Sequence, residues 1–96
     1  MDMPCDAQRT LADEIENVLK AMAHSQRLMV LCCLRDGEDS STVIARRTGI
    51  RPAAVSHHLG ILRHAGIIGS RRSGRRIVHS IESVVATRVL DALRAA

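Results

Sequence analysis

The sequence contains no phenylalanine, tyrosine or tryptophan among its 96 residues. Recognition of RNA or of single-stranded DNA by base stacking requires aromatic side chains, so their absence argues against those modes. The core must be built from leucine, isoleucine, valine, methionine and alanine, a set that favours helices. A chain of this length forms one small domain, and a partner subunit would let it bury more surface.

Acidic residues are missing between Ser40 and Ile81. All ten aspartates and glutamates lie outside this range, whereas eight arginines lie within it: Arg46, Arg47, Arg51, Arg63, Arg71, Arg72, Arg75 and Arg76. Arginine supplies thirteen of the fourteen basic residues, and its guanidinium group suits bidentate contacts with phosphate and guanine. This segregation of charge predicts a positive surface that binds a nucleic acid.

Long apolar runs are missing as well. The longest, Leu28–Leu34, is too short to span a bilayer. The first ten residues, MDMPCDAQRT, are polar and acidic and do not resemble a secretion signal. We therefore expect a cytoplasmic protein that does not associate with membranes and whose three cysteines are reduced by default.

Hydrophobic periodicity predicts five helices and two strands. The helices cover residues 8–23, 26–35, 40–48, 52–65 and 83–94, and the strands cover residues 67–72 and 75–81. Ser25 and Ser40 are expected to cap the second and third helices. Residues 1–7 are predicted to form a flexible N-terminal tail, and residues 8–96 a single domain. The order α-α-α-α-β-β-α is that of a mainly helical winged helix-turn-helix with a small β-hairpin.

The segment 48–68, TGIRPAAVSHHLGILRHAGII, gives the clearest functional signal. A helix ending at Thr48-Gly49 turns into a second helix that is opened by Pro52. One face of that second helix is apolar, and the opposite face is polar and free of acids, which is typical of a helix that reads the major groove of DNA. The candidates for major-groove contact are Arg51, Ser56, His57, Gly60 and Arg63.

These candidates suit different contacts. Ser56 and His57 can hydrogen-bond to bases or phosphates. Gly60 in mid-helix costs up to about 1 kcal/mol relative to alanine, so it marks a close backbone approach to the duplex or simple drift at an exposed position. His58 is expected to pack or hydrogen-bond within the domain instead.

The hairpin carries the second group of candidates. Arg71, Arg72, Arg75 and Arg76 surround the predicted turn at Ser73-Gly74. Such a wing is expected to enter or flank the minor groove and to bind phosphate.

Four segments together resemble the ArsR family of bacterial winged-helix repressors. They are LKAMAHSQRLMVLCCL, the run Ser56-x-His58-Leu59-x-x-Leu62, HAGII, and VHSI at the end of the wing. The resemblance extends from about Val18 to Ile81. It implies a homodimer, joined by the first and last helices, that binds an imperfect palindrome in promoter DNA until an inducer or a chemical modification releases it.

The metal sites known in that family are not matched here. One site has the pattern C-x-C-D at the start of the third helix, and the corresponding positions are Ser40, Thr42 and Val43, which lack soft ligands. A second site uses aspartate and histidine on the last helix, where this chain has Ser83 and Val85. We therefore expect no metal at these positions and no cofactor.

The cysteines are the remaining sensor candidates. Cys32 occupies the position at which the sulfide- and redox-responsive branch of the family carries a reactive thiol, but the last helix lacks that branch's partner cysteine. A helical wheel places Cys32 towards the core and Cys33 on a different face, beside Met29. Cys5 could reach the second helix of either subunit to form a disulfide, a sulfur-bridged link or a thiolate metal site.

The leading hypothesis is a dimeric repressor that persulfide or redox chemistry releases from promoter DNA, with a small sulfur species or an oxidant as inducer. A repressor that responds to a metal or metalloid through Cys5, Cys32 and Cys33, and a repressor without a sensor, stay open as alternatives. A winged-helix protein-interaction module belongs to a different class, and the distribution of arginine argues against it. Enzymatic activity is not expected, because no carboxylate lies near His57 or His58 in the sequence.

Overall fold

The structure, a computed structural model, describes the backbone of residues 5–95 and the side chains of residues 7–95. Its helices are α1 (Cys5–Met22), α2 (Ser25–Arg35), α3 (Ser41–Thr48), α4 (Pro52–His64) and α5 (Val84–Ala95), and its strands are β1 (Asp39–Ser40), β2 (Ile68–Ser73) and β3 (Arg76–Ile81). The predicted winged helix-turn-helix is confirmed. Within residues 5–95, no helix has the length and apolar character needed to cross a membrane.

Helix α1 begins earlier than predicted. It starts at Cys5 rather than Gln8, so the last part of the predicted N-terminal tail is helical. No glycine, proline or β-branched residue interrupts the sequence between Cys5 and Arg9, so nothing there stops a helix. The rest of the predicted tail, residues 1–4, lies outside the described residues.

The sheet has three strands in the order β1-β3-β2, rather than a two-stranded hairpin alone. Asp39 and Ser40 of β1 pair with His79 and Val78 of β3. A strand of two residues is too short to produce a recognisable alternation in the sequence. The β2–β3 turn consists of Gly74 and Arg75, and the φ angle of 64° at Gly74 suits the first central residue of a type II′ turn.

Two of the three predicted helix starts are confirmed. The Oγ atom of Ser40 accepts a hydrogen bond from the amide of Val43, and α4 begins at Pro52 without a side-chain cap from Arg51. The predicted cap of α2 is wrong. Ser25 is already helical, and the cap is His24, whose Nδ1 atom accepts a hydrogen bond from the amide of Gln26 at 3.2 Å.

The core is aliphatic and centres on α2, which contacts the other four helices and β3. Its largest fully buried side chains are Val30, Leu31, Ile44, Val55, Leu62, Ile67 and Leu90. Full burial of one such side chain contributes about 1.5–3 kcal/mol. Because the core has no aromatic rings, the packing of these branched aliphatic side chains holds α4 and the β-hairpin in a fixed relative position.

Candidate nucleic-acid interface

Helix α4 is anchored by one face and exposed on the other. Val55, Leu59 and Leu62 are at most 3% exposed and pack into the core. This orientation leaves the predicted contact residues Ser56, His57 and Arg63 exposed and Gly60 half-buried, with Arg51 exposed just before the helix. The reading face, defined here as Arg51, Ser56, His57, Gly60 and Arg63, is therefore directed away from the core.

The turn before α4 is held by local hydrogen bonds. Gly49 has a φ angle of 74°, and its amide donates to the carbonyl of Ala45 at 2.9 Å. The Thr48 hydroxyl donates to the carbonyl of Ile44 at 2.7 Å and accepts from the amide of Ile50 at 3.3 Å. Since these bonds leave the turn little freedom, the angle between α3 and α4 is set by the sequence around Gly49.

His58 connects α4 to the start of α2. It is 5% exposed, as expected for a residue that packs within the domain, and its Nε2 atom lies 2.9 Å from the Oε1 atom of Gln26. Nη1 of Arg27 lies 3.5 Å from Nδ1 of His58. Because a guanidinium only donates, Nδ1 must accept, and the neutral ring carries its proton on Nε2, from which it donates to Gln26.

Three imidazole rings meet at this junction. The ring of His58 lies 4.8 Å from that of His24 and 5.7 Å from that of His57. Burial lowers the pKa of His58 below its ordinary value, and the positive potential of His24, Arg27 and His57 lowers it further. His58 therefore stays neutral at pH 7, directly behind a residue of the reading face.

Gly60 borders a groove of about 580 Å³ between α1 and α4. A Cβ atom added at Gly60 would meet no atom within 4 Å. Core packing therefore does not require a glycine here. Close approach to the duplex and drift at an exposed position both stay predictions.

The wing, consisting of β2, β3 and the turn at Gly74–Arg75, presents Arg72, Arg75 and Arg76 to solvent. None of the three forms an ion pair with an acidic side chain in residues 7–95, and the same is true of Arg51 and Arg63. The structure thus brings five of the predicted DNA contacts to the surface as free cations.

Two arginines of the acid-free range are paired with acids from outside it. Arg71 hydrogen-bonds to both carboxylate oxygens of Glu38. Arg47 contacts Asp36 at 3.4 Å and Asp39 at 3.3 Å. The positive surface is consequently narrower than the sequence indicates, and the predicted DNA contact of Arg71 requires exchange of its Glu38 partner for phosphate.

Arg46 is not distinguished from the other arginines by any local feature of the sequence. The structure places Arg46 beside Arg75 and Arg76, at a concave surface where the start of α3 meets the wing. The only signal in the sequence was its membership of the acid-free range, because the contact between α3 and β3 depends on the unpredicted strand β1.

The two cysteines of α2 face in directions opposite to those predicted. Cys33 is buried and Cys32 is exposed. The buried residues of α2 are Val30, Leu31, Cys33 and Leu34, and Cys32 lies on the other side of the helix. Because α2 is apolar on nearly all sides, its pattern could not identify the face that meets the core. Burial raises the pKa of the Cys33 thiol, which disfavours its reactive thiolate form.

Cys32 borders a cavity of about 380 Å³ that is also lined by Asp36, Arg47 and Arg94. Arg94 donates to Asp36 at 2.8 Å. This bond is the main cause of the raised pKa of Arg94, to which Cys32 adds a smaller electrostatic contribution. The side chain of Cys5 lies outside the described residues. Within the described part of the chain, no three histidine, cysteine or acidic side chains are grouped as metal ligands.

His79 is a buried polar residue of β3. It is 6% exposed, and its Nδ1 atom has no hydrogen-bond partner among the described residues. Burial lowers its pKa, and the charge of Arg63 lowers it further. His79 therefore carries no charge at pH 7 and contributes no positive charge to the interface.

Comparisons with known proteins agree with this geometry. Residues 24–70 match the family model for bacterial regulatory proteins of the arsR family. The biofilm growth-associated repressor of Agrobacterium fabrum is 36% identical over 94 residues, which cover 98% of this chain and 80% of the relative.

Two solved structures are similar over nearly the whole chain. The transcriptional repressor BigR from Xylella fastidiosa superposes with a TM-score of 0.83 at 32% identity, covering 97% of this chain and 95% of its own. A homodimeric winged helix-turn-helix DNA-binding domain from Mycobacterium bovis gives a TM-score of 0.83 at 29% identity, covering 99% and 88%. The chain therefore belongs to the arsR family of bacterial regulatory proteins and is a winged helix-turn-helix transcriptional regulator.

Proposed function

We propose that the protein is a cytoplasmic transcriptional repressor that binds a palindromic promoter site as a homodimer. The observation that carries the proposal is the exposed, acid-free reading face of α4, which the structure flanks with unpaired arginines of the wing. A helix of this kind fits the major groove, and a basic hairpin beside it fits the adjacent minor groove.

The two groups of residues have different tasks in this proposal. Ser56 and His57, on the exposed side of α4, contact base edges and thereby select the sequence. Arg72, Arg75 and Arg76 contact the phosphate backbone, which orients the domain and supplies affinity for any sequence.

Dimerisation uses the outer surfaces of α1 and α5, which contact each other within the chain. Both helices expose large apolar side chains: Leu11 at 38%, Leu19 at 43%, Val84 at 65% and Leu93 at 55%. An apolar hollow on α1 lies between Ile15 and Leu19. Contiguous exposed apolar surface is typical of an interface with another protein, and the related domain from Mycobacterium bovis is homodimeric.

Release from DNA is assigned to the chemistry of Cys32. Of the two thiols of α2, only Cys32 is exposed, and the cavity beside it brings the positive charge of Arg94 close. The Cys32 thiolate attacks one sulfur of a polysulfide and breaks its S–S bond. The shortened polysulfide leaves as an anion, and Cys32 becomes a persulfide. Arg94 stabilises the product persulfide anion when its guanidinium exchanges its Asp36 partner for the terminal sulfur atom.

DNA binding is tested by selecting binding sites from a random DNA pool and measuring affinity by fluorescence anisotropy. We expect a palindromic site that the protein binds at least about a thousandfold more tightly than a scrambled duplex. Affinity should fall steeply between about 0.05 and 0.2 M salt. Equal affinity for both duplexes would contradict sequence-specific binding, and the absence of salt-dependent binding to either duplex would favour a protein-interaction module.

The sensor is tested by mass spectrometry after treatment with polysulfide, peroxide or metal ions, with DNA binding measured on the same samples. Cys32→Ser should abolish the response, whereas Cys33→Ser is the matched control and should retain it. A response that survives in Cys32→Ser would move the sensor to another thiol. No response in the native protein would favour the repressor without a sensor, and a bound metal ion would favour the thiolate-metal alternative.

A further inference from the structure

The first turn of α3 lies against the wing because of strand β1. Ser40 of β1 pairs with Val78 of β3, and α3 begins at the next residue. The side chains that follow Ser40 are therefore placed beside those that precede Val78. This register joins the first helix of the helix-turn-helix to the wing.

Helix α3 and the wing border a pocket with a volume of about 360 Å³. We call it the arginine pocket, and its main side chains are Ser41, Thr42 and Arg46 from α3 and Arg75, Arg76 and Ile77 from the wing. Among residues 7–95, no acidic side chain lines it.

The three arginines of the pocket are free of acidic partners. In residues 7–95, no carboxylate forms an ion pair with Arg46, Arg75 or Arg76. The adjacent residue Arg47 behaves differently, since its guanidinium contacts Asp36 and Asp39. The pocket therefore concentrates uncompensated positive charge at one place, and this charge comes from two separate elements.

The chemistry of the pocket is that of an anion site with several donors. Guanidinium groups only donate hydrogen bonds, and the hydroxyls of Ser41 and Thr42 can donate as well. A tetrahedral oxyanion accepts several such bonds at once, and arginine suits phosphate in particular. The complementary ligand is thus a phosphate group.

We propose that the arginine pocket binds one backbone phosphate of the duplex DNA, outside the contacts made by the reading face of α4. This inference rests on the proposed function, since it needs DNA as the partner. Bound in this way, the phosphate bridges α3 and the wing. It fixes the direction in which the wing leaves the domain and so sets the register of the wing on the duplex.

Arg46 is the diagnostic residue because it lies outside both α4 and the wing turn. Arg46→Gln should weaken binding to the selected site and to a scrambled duplex by a similar factor, about three- to tenfold. It should also reduce the slope of log affinity against log salt by about 1.8, because the dimer loses one phosphate contact in each half-site and each contact contributes about 0.9. Arg47→Gln removes the same charge from the neighbouring position and should leave that slope unchanged.

The phosphate itself is located by replacing single phosphates of the selected site with neutral methylphosphonates. Neutralising one position in each half-site should weaken binding of the native protein more than binding of Arg46→Gln, as expected for groups that interact directly; Arg75 and Arg76 account for the effect that remains in the variant. If no position shows this coupling, the pocket does not bind a DNA phosphate and the inference is wrong.

A titration with inorganic phosphate tests for a free anion as the ligand. Phosphate that binds the native protein but not Arg46→Gln, together with no coupled position in the DNA, would make the pocket a site for a free anion and overturn the inference. Absence of any salt-dependent DNA binding by the native protein would refute the proposed function itself, and the inference with it. If DNA binding is observed but no phosphate is coupled to Arg46, only the inference is wrong and the proposed function stands.

Discussion

Glu38 binds Arg71 across the central strand of the sheet. Arg71 lies on β2, Glu38 precedes β1, and β3 separates the two strands, so the ion pair spans the full width of the sheet. The bond raises the pKa of Arg71, mainly through hydrogen bonding and further through opposite charge. Exposed pairs of this kind contribute little to stability, so its main effect is to occupy a guanidinium of the wing.

Removing Glu38 should therefore increase affinity for DNA. In Glu38→Gln, Arg71 is free to contact phosphate and one negative charge is lost near the duplex, so binding should tighten by a few-fold at low salt. Anisotropy titrations at several salt concentrations measure the effect. The double variant Glu38→Gln/Arg71→Gln is the control. Its affinity is compared with that of Arg71→Gln. If Glu38→Gln increases DNA affinity by the same factor in the native protein and in Arg71→Gln, release of Arg71 is not the cause of the increase.

The assignment of base-reading and phosphate-binding residues predicts two kinds of variant. Ser56→Ala and His57→Ala should change which sites are selected from a random pool, with a loss of about 1–3 kcal/mol at the contacted base pair. Arg75→Gln and Arg76→Gln should weaken binding to all sequences by a similar factor. Identical selection profiles for both kinds of variant would show that the roles are assigned wrongly.

Two buried histidines predict a pH dependence of stability. The pKa values of His58 and His79 are lowered in the folded protein, so the unfolded chain binds more protons when the pH falls through the ordinary value of 6.5. The free energy of unfolding should therefore have its full value above about pH 7 and decrease progressively below about pH 6.5.

The pH dependence can be measured by urea unfolding between about pH 8 and pH 5, followed by circular dichroism. His58→Gln should reduce the loss of stability at low pH, and adding His79→Gln should reduce it further. His64→Gln, which removes an exposed histidine from the same helix, should behave like the native protein. A native-like loss of stability in the His58→Gln variant would exclude His58 as a cause.

The proposed dimer surface predicts which apolar side chains maintain the assembly. Leu19→Glu on α1 and Leu93→Glu on α5 place a charge in the interface and should give monomers in sedimentation equilibrium. Met29→Glu is the matched control, because Met29 is 44% exposed, like Leu19 at 43%, but lies on α2. Dissociation by Met29→Glu alone would place the interface on α2 instead.

The sequence predicted the parts of the fold in which local pattern and tertiary environment agree. On α4, Val55, Leu59 and Leu62 form one apolar stripe, and the structure buries that stripe. On α2 apolar residues surround the helix, so the pattern could not show that Cys33 faces the core and Cys32 the solvent. The burial of a side chain on such a helix is decided by neighbouring elements, which the sequence pattern does not describe.

The local sequence pattern also could not predict polar contacts between residues that are distant in the chain. Glu38 and Arg71 are 33 residues apart, and β1, which brings Glu38 beside the wing, is only two residues long. The arginines of the predicted positive surface are exposed, but the charge that they present depends on ion pairs of this kind. The arginine pocket has the same origin, because Arg46 lies near the wing only through the pairing of β1 with β3.

The carboxylate of Asp36 lies between an arginine of α3 and an arginine of α5. It accepts from Arg94 of α5 at 2.8 Å and from Arg47 of α3 at 3.4 Å. Arg47 also contacts Asp39 at 3.3 Å, so a shift of α5 that moves Asp36 with Arg94 would leave Arg47 with one acidic partner instead of two. A substitution on α5 at the proposed dimer surface would therefore change the charge balance of α3, the first helix of the helix-turn-helix, without altering any residue of the reading face or the wing.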